Sequence, residues 1–198
     1  MNDRLERQLR FILEIDKLKT VLRQTVLTDK TRRETDAEHS WHIAVMAPLL
    51  REHAVGEAID VDRVIRMLLV HDLVEIDAGD AFAFDPKANE GKLEREIAAA
   101  DRLFSLLPGD QAAEFRALWE EFEAEETEDA KYAAAIDCFQ PFLHNAVTGG
   151  HTWKLGQVCR AQVMRRMAPV KEATPAIWEY LLTVVEDAVK KGYIREDA

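Results

Sequence analysis

Two cysteines, eight glycines and six prolines are few for 198 residues, and 26 basic residues stand against 37 acidic ones. Each shortage removes a class of protein. Cys138 and Cys159 form no Cys-x-x-Cys pair, so neither a disulfide framework nor a zinc ribbon is indicated, and both read as reduced thiols. So little glycine and proline excludes a low-complexity chain. A net charge of −11 argues against nucleic-acid and anionic-membrane partners, which both want basic patches. A small anionic ligand stays open, because a bound metal inverts the local field. No apolar run approaches the ~20 residues that span a bilayer. The first residues, "MNDRLERQLRF", hold no signal-peptide core. The expectation is a cytoplasmic protein with one sizeable core.

What the sequence does hold is helical periodicity. Leu5, Leu9, Ile12, Ile15, Leu18 and Leu22 recur at spacings of three and four, which predicts an amphipathic helix over 3–24. "TVLTDKTRRETD" then reads as a polar, basic loop. Thr35 and Glu38 have the spacing of a capping box and open a second helix, in which Pro48 should produce a kink. Asp60 or Asp62 opens a third, ending near Ile76. "DAGDAFAFDPKANEG" is the longest irregular stretch. Further helices are expected over 88–107, 110–126, 128–147, 155–168 and 175–191, with Pro108-Gly109 and Gly149-Gly150 at two junctions. Strand-like alternation is absent. The predicted fold is all-α: a single domain over 1–198, a helical bundle of about seven to nine helices. The apolar face of the last helix, Ile177, Leu181, Val184 or Val185 and Ala188, could serve the core or a homodimer contact. Trp41, Trp119, Trp153 and Trp178 are expected in the core, and "WEEFEAEETEDA" reads as a solvated helix end.

One stretch does not fit a bland bundle. In "MLLVHDLVEIDAGD" (67–80) the stripe that buries Val64, Met67 and Leu68 also carries His71 and Glu75 inward. Asp72, Asp77 and Asp80 crowd beside them. A buried ionised carboxylate is costly unless paired or bound to metal. Upstream, His39 and His42 lie three apart on another helix, a spacing seen in metal-ligand pairs. Downstream, Asp137 lies in the apolar stretch "AAAIDCFQPFLHN". Pro141, four residues later, cannot donate to its carbonyl, so the helix should be distorted at a buried acid. Imidazole and carboxylate together suit manganese, iron, cobalt, nickel or zinc, and the lack of thiolates argues against a structural zinc site.

His39, His71-Asp72 and Asp137 together resemble the H…HD…D signature of the HD-domain metal-dependent phosphohydrolases. "RRETDAEHSWH", "LLVHDLVEIDAGD" and "AIDCFQP" resemble in particular the branch that holds the bacterial 5′-deoxynucleotidases and HD-domain-containing 2 relatives. The likeness covers roughly residues 5–147, and the later helices, about 155–191, are expected to pack on that part. It implies one divalent transition metal on His39, His71, Asp72 and Asp137, with His42 packed behind the ligands. It implies catalytic carboxylates at Glu75 and Asp80: one orients and deprotonates the attacking water and the other protonates or positions the leaving 5′-oxygen. The sequence leaves that division open, with Glu75 on metal-shell water and Asp80 on the path of the nucleophile as the preferred split. Arg23, placed at the end of the first helix, would contact phosphate or sugar, and Arg33 is a weaker candidate for the same role. The nucleotidases typically carry Arg-Trp where this chain has Arg23-Gln24, which leaves sugar selectivity open. Asp77 has the position of a loop or cap carboxylate. Phe82 and Phe84 could meet a base or simply pack.

The implied activity is removal of phosphate from (deoxy)nucleoside 5′-monophosphates, and similar proteins are often dimers. Two alternatives share the same residues. One is hydrolysis of another small phosphate, such as a cyclic nucleotide or a guanosine polyphosphate. The other is a metal-containing module that binds a nucleotide without turnover, which would need neither Glu75 nor Asp80.

Overall fold

A computed structural model describes residues 3–197. The chain folds into α1 (Asp3–Ile15), β1 (Leu22–Val26), β2 (Arg33–Thr35), α2 (Asp36–Leu50), α3 (Val61–Val70), α4 (Glu75–Ala78), α5 (Lys92–Phe104), α6 (Gly109–Ala124), α7 (Glu128–Val147), α8 (His151–Leu155), α9 (Arg160–Arg166), α10 (Ala168–Ala173) and α11 (Pro175–Lys190). Single 3-10 turns follow α1 (Asp16–Thr20), α2 (Arg51–His53) and α3 (His71–Val74). The all-α expectation holds. The helix count exceeds seven to nine because the segments around 71 and after 150 break into short pieces.

α7 is the axis of the fold. It is buried almost all round, from Ala130 to Asn145, as expected of a helix whose apolar residues leave no solvent face. α2, α3, α6 and α10 pack against it, and Tyr132 on α7 donates a hydrogen bond to the carbonyl of Ala47 at 2.6 Å. α7 runs through Pro141 without ending there. α2 likewise continues past Pro48. The last helix gives Ile177, Leu181, Val185 and Ala188 to the core, so this face is not free for a dimer contact. At Gly150, φ is +68° and an added Cβ would lie 2.6 Å from the Cβ of Tyr193, so only glycine fits this turn into α8.

The N-terminal expectation fails in two ways. The first helix ends at Ile15, and Arg23 lies on a strand instead of a helix end. β1 and β2 form an antiparallel hairpin, pairing Leu22 with Thr35 and Val26 with Arg33. The β-branched Thr20, Val21, Thr25 and Val26 favour extended backbone. The Asp29 carboxylate accepts from the amide and hydroxyl of Thr31 at 2.9 and 2.8 Å, closing the turn. Of the apolar stripe, Leu5, Leu9, Ile12 and Leu22 are exposed, Ile15 is half-buried and Leu18 is buried; Phe11, outside that stripe, is the residue α1 buries. Trp41 is also exposed, Trp178 is half-buried, and Trp119 and Trp153 are in the core.

The hairpin hands the chain to α2 through the expected capping box. Thr35 Oγ1 accepts from the amide of Glu38 at 3.3 Å, and the Glu38 carboxylate accepts from the amide of Thr35 at 3.0 Å. Thr35→Ala is therefore expected to cost about 1 kcal/mol of stability. Urea denaturation should show a lower midpoint with an unchanged slope.

Candidate metal centre

α2 delivers His39, the 3-10 turn after α3 delivers His71 and Asp72, and α7 delivers Asp137. All four are buried. His39 Nε2 lies 2.9 Å from Asp137 Oδ1 and 4.0 Å from Asp72 Oδ2. His71 Nε2 lies 3.1 Å from Asp72 Oδ1 and 3.7 Å from Asp137 Oδ1. One ligand atom each from His39, His71 and Asp72 falls within 4.8 Å of the others.

The donors fit a divalent transition metal on three observations. First, His71 Nε2 is buried without a hydrogen-bond partner, which is what a lone pair aimed at a cation leaves behind. Second, the far nitrogen of each imidazole is tied down. His71 Nδ1 sits 2.9 Å from the carbonyl of Leu68, and His39 Nδ1 sits 3.0 Å from Gln140 Oε1. Such partners fix a ligating imidazole with its other nitrogen toward the ion. Third, the charges are arranged to hold a cation. Burial depresses the His71 pKa, but Asp72 and then Asp137 outweigh it and raise the group to about 9. Burial works against an ionised Asp137, yet the adjoining His39 and His71 rings and the Arg166 guanidinium hold its carboxyl well below the usual carboxylate range.

Beside these ligands lies a cavity of about 280 Å³. That is close to the lower end of small-molecule sites, roughly 300–1,000 Å³. Glu75 and Asp80 line it, as do Phe82, Phe84 and Gln24. Glu75 Oε2 is buried without a partner, and Oε1 is 3.9 Å from the ammonium of Lys92. Burial and then the charge of Asp72 push Glu75 up to about 9. Burial also raises Asp80, against the pull of Arg23, whose Nη1 is 4.0 Å away. Arg23 reaches the site from β1: Nη1 donates to Asp72 Oδ2 at 2.8 Å and to Asp36 Oδ1 at 3.0 Å.

Not every candidate belongs here. Arg33 does not line the cavity; it donates to the carbonyls of Leu22 (2.6 Å) and Arg23 and clasps the hairpin. In this structure its donors hold the strand that carries Arg23, while its charge still acts on Asp80. Asp77 pairs with Arg102 on the outer side of α4. His42 lies behind the ligands, next to Gln140 and His144.

Four residues were missed. Asp36, Lys92 and Arg166 are charged groups on amphipathic helices and look like solvent-facing ones in sequence. Arg166 Nη2 is 3.2 Å from Asp137 Oδ2, so the C-terminal helices do contribute to the site. Glu123 is solvent-exposed, in keeping with the solvated stretch that holds it, and also lines the mouth of the cavity. Its signal was the apolar Trp119 and Phe122 on the same helix.

A family model described as an HD domain matches residues 15–178. A crystal structure described as a predicted metal-dependent phosphohydrolase from Magnetospirillum magnetotacticum is 55% identical. It superposes with a TM-score of 0.92, covering 97% of this chain and 96% of that one. The 5′-deoxynucleotidase HDDC2 of Mus musculus is 35% identical over 130 residues, which are 65% of this chain and 63% of the relative. The match thus spans a little under two thirds of that relative. The 5′-deoxynucleotidase PM0747 of Pasteurella multocida is 26% identical over 164 residues, 78% of this chain and 84% of that protein. With that family model matching most of its length, the chain belongs to the HD-domain family.

Proposed function

We propose that this protein is a metal-dependent phosphohydrolase that removes phosphate from deoxynucleoside 5′-monophosphates. The observation that carries the reading is the union of three parts in one place. A two-histidine, two-aspartate cluster, the buried Glu75, and the half-buried Asp80 and Arg23 meet at a single small cavity. The names of the mouse and Pasteurella relatives supply the substrate class.

When bound at His39, His71, Asp72 and Asp137, manganese, iron, cobalt, nickel or zinc would supply Lewis acidity for water activation and phosphoryl-charge neutralisation. The chain's own residues do the rest. Arg23 is half-buried and stays charged, because Asp72, Asp80 and Asp137 outweigh the burial that opposes its charge. It faces the cavity as the group that holds phosphate oxygens. Asp80, beside Arg23, orients the attacking water and takes its proton. Glu75, raised to about 9 by burial and the charge of Asp72, holds a proton at neutral pH and gives it to the leaving 5′-oxygen. Arg23 opposes the rise at Asp80 and favours its ionised form, so the two carboxylates divide acid and base work. Gln24 lines the cavity where the nucleotidases typically carry tryptophan. Its amide can meet a 2′-hydroxyl, so ribonucleotides are accepted as well.

The test is phosphate release with cobalt or manganese from deoxy- and ribonucleoside 5′-monophosphates, a cyclic nucleotide and a guanosine polyphosphate. Turnover of the 5′-monophosphates, abolished by a chelator, is expected. Turnover of only the cyclic or polyphosphate compounds would move the substrate class. Tight nucleotide binding with no release from any compound would leave a binding module instead.

A further inference from the structure

Behind His39, on the side away from the cavity, sits a buried polar cluster that the chemistry above does not use. Its hub is Gln140 on α7, which is fully buried. Gln140 Oε1 lies 3.0 Å from His39 Nδ1. Gln140 Nε2 lies 2.6 Å from Glu34 Oε1, 3.1 Å from His42 Nδ1 and 3.1 Å from His144 Nε2. An amide nitrogen has two hydrogens, so Glu34 takes one and the two imidazoles share the other. Glu34 comes from β2 and is itself buried.

The carboxylate decides which way the amide points. Turned over, Gln140 would place its oxygen against a Glu34 oxygen and its N–H groups against His39 Nδ1. The first contact is repulsive whenever Glu34 is ionised, the form that Arg23 and the Gln140 hydrogen bond favour against burial. The second would demand a lone pair on Nδ1 and move the His39 proton to Nε2, the atom that faces the ion site. His71 needs no such device, because its Nδ1 partner is a backbone carbonyl.

We propose that Glu34 and Gln140 are positioning residues for the metal centre: Glu34 fixes the Gln140 amide, and Gln140 Oε1 holds His39 as the Nδ1–H tautomer with its Nε2 lone pair on the ion. The inference rests on the reading of His39 as a metal ligand. It makes the hairpin, an element with no ligand of its own, part of what sets metal affinity.

The test is calorimetric titration of the metal-free full chain with Mn²⁺, with thermal melts to verify folding. His39→Ala should abolish binding. Glu34→Gln and Gln140→Leu should each weaken it by about 10–100-fold, the usual effect of losing an outer partner of a ligand. The exchanged pair, Glu34→Gln with Gln140→Glu, restores an acceptor for His39 and a donor beside it, and should regain most of the lost affinity. Wild-type affinity in both single variants would overturn the proposal, and so would an exchanged pair no tighter than the weaker single variant. If His39→Ala binds like wild type, the metal centre itself is misplaced and the proposal falls with it. Should the single variants fail to fold, ¹⁵N-histidine spectra of the Zn²⁺-loaded wild type decide. A His39 proton on Nδ1 supports the relay; a proton on Nε2 overturns it.

Discussion

Asp137→Asn is expected to strip the protein of its metal and of its phosphate-releasing activity while leaving it folded. Asp137 Oδ1 is the oxygen common to both imidazoles, 2.9 Å from His39 Nε2 and 3.7 Å from His71 Nε2. Its carboxylate is held ionised by those two groups. Asparagine keeps the volume and one acceptor oxygen but removes the charge. Four-ligand transition-metal sites bind with about 10–16 kcal/mol, so one ligand carries on the order of 2.5–4 kcal/mol, or roughly 10²–10³-fold in affinity. Metal content after dialysis, measured by elemental analysis beside a calorimetric titration, is the direct readout. Activity should fall in parallel and return in part at high metal concentration. A variant that keeps its metal at wild-type affinity would remove Asp137 from the centre. Loss of the negative charge beside Arg166, 3.2 Å away, makes a modest fall in melting temperature part of the expected result.

What the sequence made legible was the part written in helical periodicity. Val64, Met67, Leu68, His71 and Glu75 fall on one stripe and all five are buried, so the inward direction of the last two could be read before any fold was known. Asp137 declared itself by its apolar neighbours in the same way. Helix–turn identity at the junction was less legible. The chain tightens into a 3-10 turn at His71–Val74, and nothing in the residue types marks that change from the helix before it.

The hairpin was hidden for a different reason. Leu18 and Leu22 continue the spacing of α1, so a strand of only five residues is masked by a periodicity it does not obey. That concealment displaced Arg23 from its true element, though not from the site. Lys92 and Arg166 were illegible because a cation on an amphipathic helix normally faces water. Only the packing of α5 and α9 around the cavity makes them exceptions. Arg33 was legible only as a basic residue near the cluster; that its donors serve the backbone of β1 follows from the hairpin.

Glu75→Gln separates chemistry from metal binding, because Glu75 lines the cavity without touching the ligand atoms of the two imidazoles. Metal affinity should stay near wild type. The turnover rate on a deoxynucleoside monophosphate should fall by about 10²–10⁴-fold, the usual contribution of a positioned proton donor. The sign of the pH dependence follows from the raised pKa. A donor works while protonated, so wild-type turnover should decline as pH rises. Burial holds the proton on this group, and a bound cation, by offsetting the charge of Asp72, sets the decline below the value of about 9 of the metal-free protein. A glutamine side chain at that position cannot titrate, so the decline should vanish in the variant. The leaving group supplies the sharper discrimination. p-Nitrophenolate departs without a proton, whereas a 5′-alkoxide needs one. The variant should therefore lose far less on p-nitrophenyl phosphate than on the nucleotide. Equal losses on both substrates would assign Glu75 to the water side of the reaction and exchange its role with that of Asp80.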